Sequence, residues 1–316
     1  MFNLMRNEWM KLFSRAATYV MIGAIVLAAI AATVIMLFIN SLGSDQNLTW
    51  QEQLQADNER LEQMIETGEA GFMGDDPAER IAINEYALEN DIAPNSMNIS
   101  GTFWSYLENS TFLLSLIGLF AIIVASGIVA SEFSWGTIKL LMIRPIARWK
   151  ILLSKFITVG AFGLFLVVIT AIISVILGLI FFDPGSPVRL VFEDGQVVEK
   201  SMAAYVVRLY IFNSLDVIML TTMAFMISAV FRNSSLAIGI SLFLLFVGGT
   251  ATGFIAAYYD WAKFSLFANT NLSQYEMNMP IVEGMNMQFS IIMLVIYFAV
   301  FMTLAFTVFT KRDIAS

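Results

Sequence analysis

Six stretches of this chain, residues 17–39, 111–130, 156–182, 209–231, 236–257 and 289–310, are long, apolar and almost free of charge. The hydrocarbon core of a bilayer is about 30 Å thick and takes about 20 helical residues to cross. In lipid each stretch must be helical, because backbone N–H and C=O groups find no water there. Composition agrees: 58% of residues are hydrophobic and 13% charged, about half the charged share of a soluble domain. A water-soluble fold of 316 residues cannot bury so much apolar surface. The expected class is an all-α integral membrane protein with six transmembrane helices.

Lysine and arginine near the span ends set the orientation. With the N-terminus inside, the inner side holds Arg6, Lys11, Arg15, Lys139, Arg144, Arg148, Lys150, Lys155, Arg232, Lys311 and Arg312, which are 11 of the 17 basic residues. Glu8, Glu132 and Asp313 oppose them, while the outer side holds the other 6 basic residues and 21 acidic ones. Both termini, including the tail 311–316, are therefore expected in the cytoplasm of a bacterial cell membrane. Arg6, Lys11 and Arg15 ahead of an apolar run, with Ala29-Ile30-Ala31 within it, also fit a cleaved signal peptide. The run continues to Ile39, too long for a signal's apolar core, so retention is expected. With no cysteine and no histidine, disulfides, thiol chemistry and imidazole ligands are excluded. No metal site, cofactor or nucleic-acid partner is expected of this chain.

The segments between spans carry their own signals. In 1–16, Phe2, Met5, Trp9, Leu12 and Phe13 share one helical face and Asn3, Arg6, Asn7, Lys11 and Ser14 the rest. This predicts an amphipathic helix on the inner membrane surface, its basic residues near anionic lipid headgroups. The outer, acidic segment 40–110 contains Thr49-Trp50-Gln51-Glu52, a capping box, and Asp76-Pro77-Ala78-Glu79, a second helix start with Pro at its first position. Two short helices are expected there, the second closing at Asn90. The outer loop 183–208 places Asp194-Gly195 between β-rich runs, which predicts a small hairpin. The outer segment 258–288 is rich in Tyr, Trp, Phe and Met, residues suited to the membrane interface, and is expected to dip partly back towards the membrane.

The inner loop 131–155 is strongly apolar for a cytoplasmic segment. Trp135, Ile138, Leu141 and Met142 share one helical face, and Pro145 ends the helical stretch. An apolar face with a basic fringe needs a cover, either a partner protein or the bilayer surface. The run Glu132…Gly136-Thr137…Leu141…Pro145…Arg148…Lys155 resembles the loop between spans two and three of ABC type-2 permeases, the membrane subunits of ATP-binding-cassette exporters. Asn7-Glu8-Trp9-Met10-Lys11-Leu12…Arg15 resembles that family's elbow helix, and the six spans match its topology over nearly the whole chain. The nearest likeness is to bacterial permeases linked to bacitracin and antimicrobial-peptide efflux; a large insert between spans one and two also occurs in relatives linked to sodium export.

The resemblance implies that the loop forms a coupling helix docked on a separate ABC ATPase. Glu132, Gly136, Thr137, Ile138 and Leu141 would lie at or beside that contact, and Pro145 and Arg148 would set the return into span three. Glu8, Trp9 and Lys11 would belong to the elbow. Two ATPase copies, carrying the ATP and Mg, and a second permease subunit are the implied partners; the substrate would be amphipathic, a peptide antibiotic or a lipid-like molecule. The chain has no G-x-x-x-x-G-K-[ST] phosphate loop, which agrees with ATP being held on a partner.

Two further features lie within spans. Asp216, with Asn213 a turn before it, sits near the middle of span four, where an ionisable group is costly and serves either function or an interhelical hydrogen bond. Gly249 and Gly253 form a G-x-x-x-G pattern in span five, suited to close packing within the chain or across a dimer. A secondary transporter would need several buried ionisable groups. A membrane enzyme would need a nucleophile–base or metal cluster. A sensor or scaffold also stays open.

Overall fold

The computed structural model describes residues 1–43, 48–67, 76–95, 101–137, 146–231 and 233–311. Its helices are α1 (Phe2–Phe13), α2 (Ala16–Gly43), α3 (Trp50–Thr67), α4 (Pro77–Glu89), α5 (Phe103–Ser110), α6 (Leu113–Ser134), α7 (Arg148–Phe181), α8 (Met202–Val230), α9 (Ser234–Ala256), α10 (Leu266–Thr270) and α11 (Met287–Lys311). The strands β1 (Val188–Glu193) and β2 (Gln196–Ser201) pair antiparallel. Among the described residues, six helical segments are long and apolar enough to cross a membrane: Ala16–Ser41, Phe103–Ser134, Arg148–Phe181, Met202–Val230, Ser234–Ala256 and Met287–Lys311. The chain is a mostly helical, multi-pass membrane protein.

Contacts divide the chain into two compact units. The first comprises Met1–Ile25, Leu113–Thr170 and Phe212–Ser316. Its core joins Ile122, Ala125 and Val129 of α6 to Leu152 and Val159 of α7, Leu220, Ala224 and Phe225 of α8, Ala237 of α9 and Phe301 of α11. Small residues let these helices approach closely. At Ala125 and Ala224 the approach is tight enough for the buried Ser228 hydroxyl to accept from the N–H groups of Val129 and Ala130, at 3.3 and 3.0 Å. Elsewhere α9 and α11 present large apolar side chains outward, Phe246, Phe254 and Val295 each more than 60% exposed. That is the pattern of helices facing lipid or a second subunit, since water would not tolerate so wide an apolar surface.

The second unit comprises Val26–Phe112 and Ala171–Ile211. Met36, Tyr106, Leu107, Phe182, Met202, Tyr205 and Leu209 form its core. Tyr106 stacks on Phe182 with ring centroids 4.8 Å apart, and its hydroxyl bonds that of Thr33 at 2.9 Å. The helix starts expected in the polar segment are where the caps put them. Glu52 accepts from the Thr49 N–H at 2.6 Å while the Glu52 N–H donates to Thr49 Oγ1 at 3.3 Å. Asp76 accepts from the Ala78 N–H at 2.9 Å, with Pro77 at the first position, and α4 closes at Asn90. The hairpin turns on Asp194 and Gly195, both at positive φ, as a two-residue turn matching the twist of its strands requires.

One element of the segment 40–110 was not anticipated. Helix α5 precedes span two, capped by Thr102, whose hydroxyl accepts from the Ser105 N–H. The chain breaks at Thr111 and Phe112 before α6. Span helices three and four also begin earlier than their apolar runs, at Arg148 and Met202, because a helix continues into its polar flank as long as its backbone bonds are met.

Candidate functional site

The first unit gathers charge where α1, the end of α6 and the start of α7 meet. Along α1 the two buried residues are Glu8 and Leu12, one turn apart on the same face. Aromatic packing seats that face: Trp9 lies 5.9 Å from Phe165, and Phe13 lies 6.2 Å from Phe162, both edge-on. The Thr18 hydroxyl donates to the Leu12 carbonyl and fixes the turn into α2. Glu8, an acidic residue amid the basic ones of this helix, is thereby held against the bundle at 7% exposure.

Its partner is Lys155, two turns into α7 and only 2% exposed. The Lys155 ammonium donates to Glu8 Oε2 at 2.8 Å and to Glu132 Oε1 at 3.1 Å. Lys11, partly exposed, adds contacts to Glu8 at 3.3 Å and to Glu132 at 3.5 Å. Glu132 also accepts from the Thr137 hydroxyl. Two carboxylates thus face one buried ammonium group, that of Lys155, and one partly exposed, that of Lys11. An ammonium buried this deeply is tolerated only with such partners, and removing one member leaves the others uncompensated. The cluster ties three elements together: the amphipathic helix and both flanks of the loop 131–155.

The loop leaves α6 at Gly136, whose φ of +70° is a conformation that costs any residue with a Cβ. The Gly136 N–H bonds the Phe133 carbonyl, and the Trp135 N–H the Ser131 carbonyl, so the helix stops where the loop must turn away. Trp135 projects outward at 68% exposure with the Arg15 guanidinium 5.9 Å over its ring. Ile138, Leu141 and Pro145 lie outside the described residues. Arg148 begins α7 and donates to the Thr310 carbonyl of α11 at 3.3 Å. Thus Glu8, Lys11, Glu132 and Thr137 converge, Trp9 wedges α1 onto α7, and Arg148 points elsewhere. Lys155 was visible in the sequence as the last basic residue of the loop. The signal of its role was its place: a lysine next to the apolar run, one helical stretch after Arg148, able to turn inward once the helix extends.

Asp216 occupies the middle of α8 and is half-buried. The Thr270 side chain neighbours its carboxylate, and Asn213 donates to Ser273 Oγ at 3.4 Å. Both partners belong to the segment 258–288, which folds as a 3₁₀ turn (Asp260–Phe264), α10 and a second 3₁₀ turn (Leu272–Tyr275). That segment is held by its own polar knot. The fully buried Asn269 donates to the carbonyls of Lys263 and Ser265 and accepts from Ser290 of α11 at 2.7 Å. Gln274 bridges the Ala268 carbonyl and the Ile281 N–H. A side chain in the middle of a span is thereby bonded to a loop that returns to it.

Span five meets this segment through Gly248, where a Cβ would stand 2.3 Å from the Phe267 ring. The predicted pair behaves differently: among the described residues nothing lies within 4 Å of where a Cβ would stand on Gly249 or Gly253. The close approach inside the chain uses the glycine one position earlier, because that one faces α10. Among the described residues no group of three acidic side chains is placed to hold a metal ion.

Residues 81–315 match a family model described as a protein of unknown function, DUF2705. The chain is 48% identical, over the full length of both, to a Bacillus subtilis (strain 168) protein named Uncharacterized protein YhcI. It is 32% identical over 214 residues, 67% of this chain and 83% of the relative, to Uncharacterized membrane protein YdbK of the same organism.

Proposed function

The chain belongs to the DUF2705 family, and we propose from its own residues that it is the membrane permease subunit of an ATP-binding-cassette exporter of the type-2 class. The observation that carries this reading is the buried Lys155–Glu8–Glu132 cluster. It joins both flanks of an apolar inner loop to an amphipathic helix, which is what a lever needs. A push on residues 132–148 by a separate ATPase would reach α1, α6 and α7 together rather than dissipate in a loose loop. The exposed Trp135, with its basic neighbour Arg15, supplies an apolar knob with a charged fringe, the composition of a protein contact.

In this reading the termini are cytoplasmic, Glu8, Trp9 and Lys11 belong to the elbow, and residues near Glu132, Gly136 and Thr137 meet the ATPase. Two ATPase copies bind ATP and Mg, and a second permease copy or relative completes the assembly. The apolar outward faces of α9 and α11 are available to that copy and to lipid. The cargo is amphipathic, a peptide antibiotic or a lipid-like molecule. One observation favours a second reading, sodium export: a carboxylate in mid-span, Asp216, beside the Thr270 hydroxyl supplies the hard oxygen ligands a small cation takes.

The test is affinity purification of the tagged chain from its native membrane in mild detergent. An ABC ATPase in stoichiometric amount is expected, and its loss on Leu141→Asp with the chain still expressed. Recovery of the chain with no ATPase, or undiminished assembly and transport in that variant, removes the proposal.

A further inference from the structure

One tripeptide occurs twice, eight residues apart, between the second 3₁₀ turn and the start of α11: Met277-Asn278-Met279 and Met285-Asn286-Met287. The two asparagines serve the backbone. Asn278 sits at φ +52°, a left-handed conformation that Asn tolerates better than most residues. Asn286 accepts from the Phe289 N–H at 2.8 Å and caps α11. Of the four methionines, Met285 is accounted for by packing, buried with Ala262, Ala268 and Val282. Met277 and Met279 are 50% and 37% exposed, and Met287 is half-buried.

The stretch is a closed loop. The Tyr275 and Ser290 hydroxyls bond at 2.6 Å across its ends. Gln274 accepts the Met279 N–H on its carbonyl and the Ile281 N–H on Oε1, both at 2.9 Å. Tyr275 packs against the cluster that holds Met285. Met277 lies two residues beyond Tyr275, and Met287 two beyond Met285, so both repeats start from one anchor. An unbranched side chain with three rotatable bonds lets thioethers from such a loop converge on one ion.

The donors fix the class of ligand. Thioether sulfur is a soft, neutral donor that selects Cu(I) over hard ions. The setting favours a cation: no Lys or Arg occurs between Lys263 and Lys311, and Glu276 and Glu283 lie in the same stretch. In a chain with no cysteine and no histidine, thioether is the soft ligand on offer.

We propose that Met277, Met279 and Met287 form a thioether site for a soft monovalent cation of the Cu(I) type. The site is separate from the inner loop and its ATPase contact, and from the mid-span carboxylate Asp216, a hard donor. Its test uses neither ATPase nor transport.

The measurement is carbon-13 NMR of the full chain, labelled at its methionine methyls and held in nanodiscs in chloride-free buffer, titrated with Ag(I) as the redox-inert probe. Methionine-to-leucine variants assign the resonances. The methyls of Met277, Met279 and Met287 should shift together and saturate at a single equivalent. Met10, 53% exposed on α1, reports adventitious binding and should stay in place until Ag(I) is in excess. Met277→Leu with Met279→Leu removes two sulfurs at nearly constant volume and should weaken binding about tenfold or more, as should Met287→Leu. Unchanged methyl positions in the spans verify that each variant is folded. Excess calcium should leave Ag(I) bound. The proposal is overturned if Met10 shifts in step with the three, if the leucine variants bind as the parent does, or if calcium releases the silver, which would make carboxylates the ligands.

Discussion

Replacing Lys155 by methionine keeps the length and apolar stem of the side chain and deletes its charge. Glu8, at 7% exposure, then loses its 2.8 Å contact, and Glu132 loses one at 3.1 Å. Lys11 remains, but it is longer-range and partly exposed. Breaking a buried pair by removing one partner costs about 3–5 kcal/mol, whereas an exposed pair is worth about 0–1 kcal/mol. Two carboxylates are stranded here, so the upper part of the first range is expected. Replacing all three by apolar residues of similar size, Glu8→Leu, Glu132→Leu and Lys155→Met, removes the stranded charges and should recover most of the loss. The assay is denaturant unfolding of the purified chain in one detergent, followed by tryptophan fluorescence. A Lys155→Met cost of about 1 kcal/mol or less would refute the reasoning, as would a triple variant no more stable than the single one. If the cluster is also the lever of transport, the triple variant should assemble normally yet transport poorly.

Other predictions rest on separate parts of the molecule. Gly248→Ala drives a Cβ into the Phe267 ring and should cost about 1–3 kcal/mol as overpacking, restored in part by Phe267→Leu; equal unfolding midpoints for Gly248→Ala and the parent would contradict that packing. Asp216→Asn should cut coupled transport while yield and unfolding midpoint stay near the parent's, and normal transport would reduce Asp216 to a packing role. The Thr49 N–H and hydroxyl hold the Glu52 carboxyl below its ordinary value of 4.5. A depressed carboxyl contributes stability above its unfolded value and loses it as pH falls through the folded one. Amide exchange at the start of α3 should therefore quicken in acid, and Glu52→Gln should remove that pH dependence. A single cysteine at Glu59 should react with an impermeant thiol reagent in intact cells, and one at Trp135 only after the membrane is permeabilised; reaction of both in intact cells would break the orientation.

What the sequence made legible is what depends on local chemistry. The six apolar runs fix the spans because lipid allows no other backbone solution. Thr49, Glu52, Asp76 and Pro77 fix two helix starts because each satisfies or lacks a backbone N–H within three residues of itself. Asp194-Gly195 fixes a turn that only positive φ allows. Helix α5 was missed because Thr102 and Ser105 reciprocate a cap without the usual Glu or Gln. The gathering of Glu8, Glu132 and Lys155 spans 147 residues of chain between its ends; no local period encodes it. Likewise the choice of Gly248 over Gly249 and Gly253 depends on where Phe267 arrives, a fact of tertiary packing.

Because the chain contains no cysteine, a single one at Thr137 can carry a photoreactive crosslinker beside the cluster. Illuminated in native membranes, it should form an adduct with an ABC ATPase, and the adduct should shift in yield when a non-hydrolysable ATP analogue closes that enzyme. Adducts with lipid alone, at full labelling and with the chain folded, would contradict the claim that this loop is the point where force enters the membrane helices.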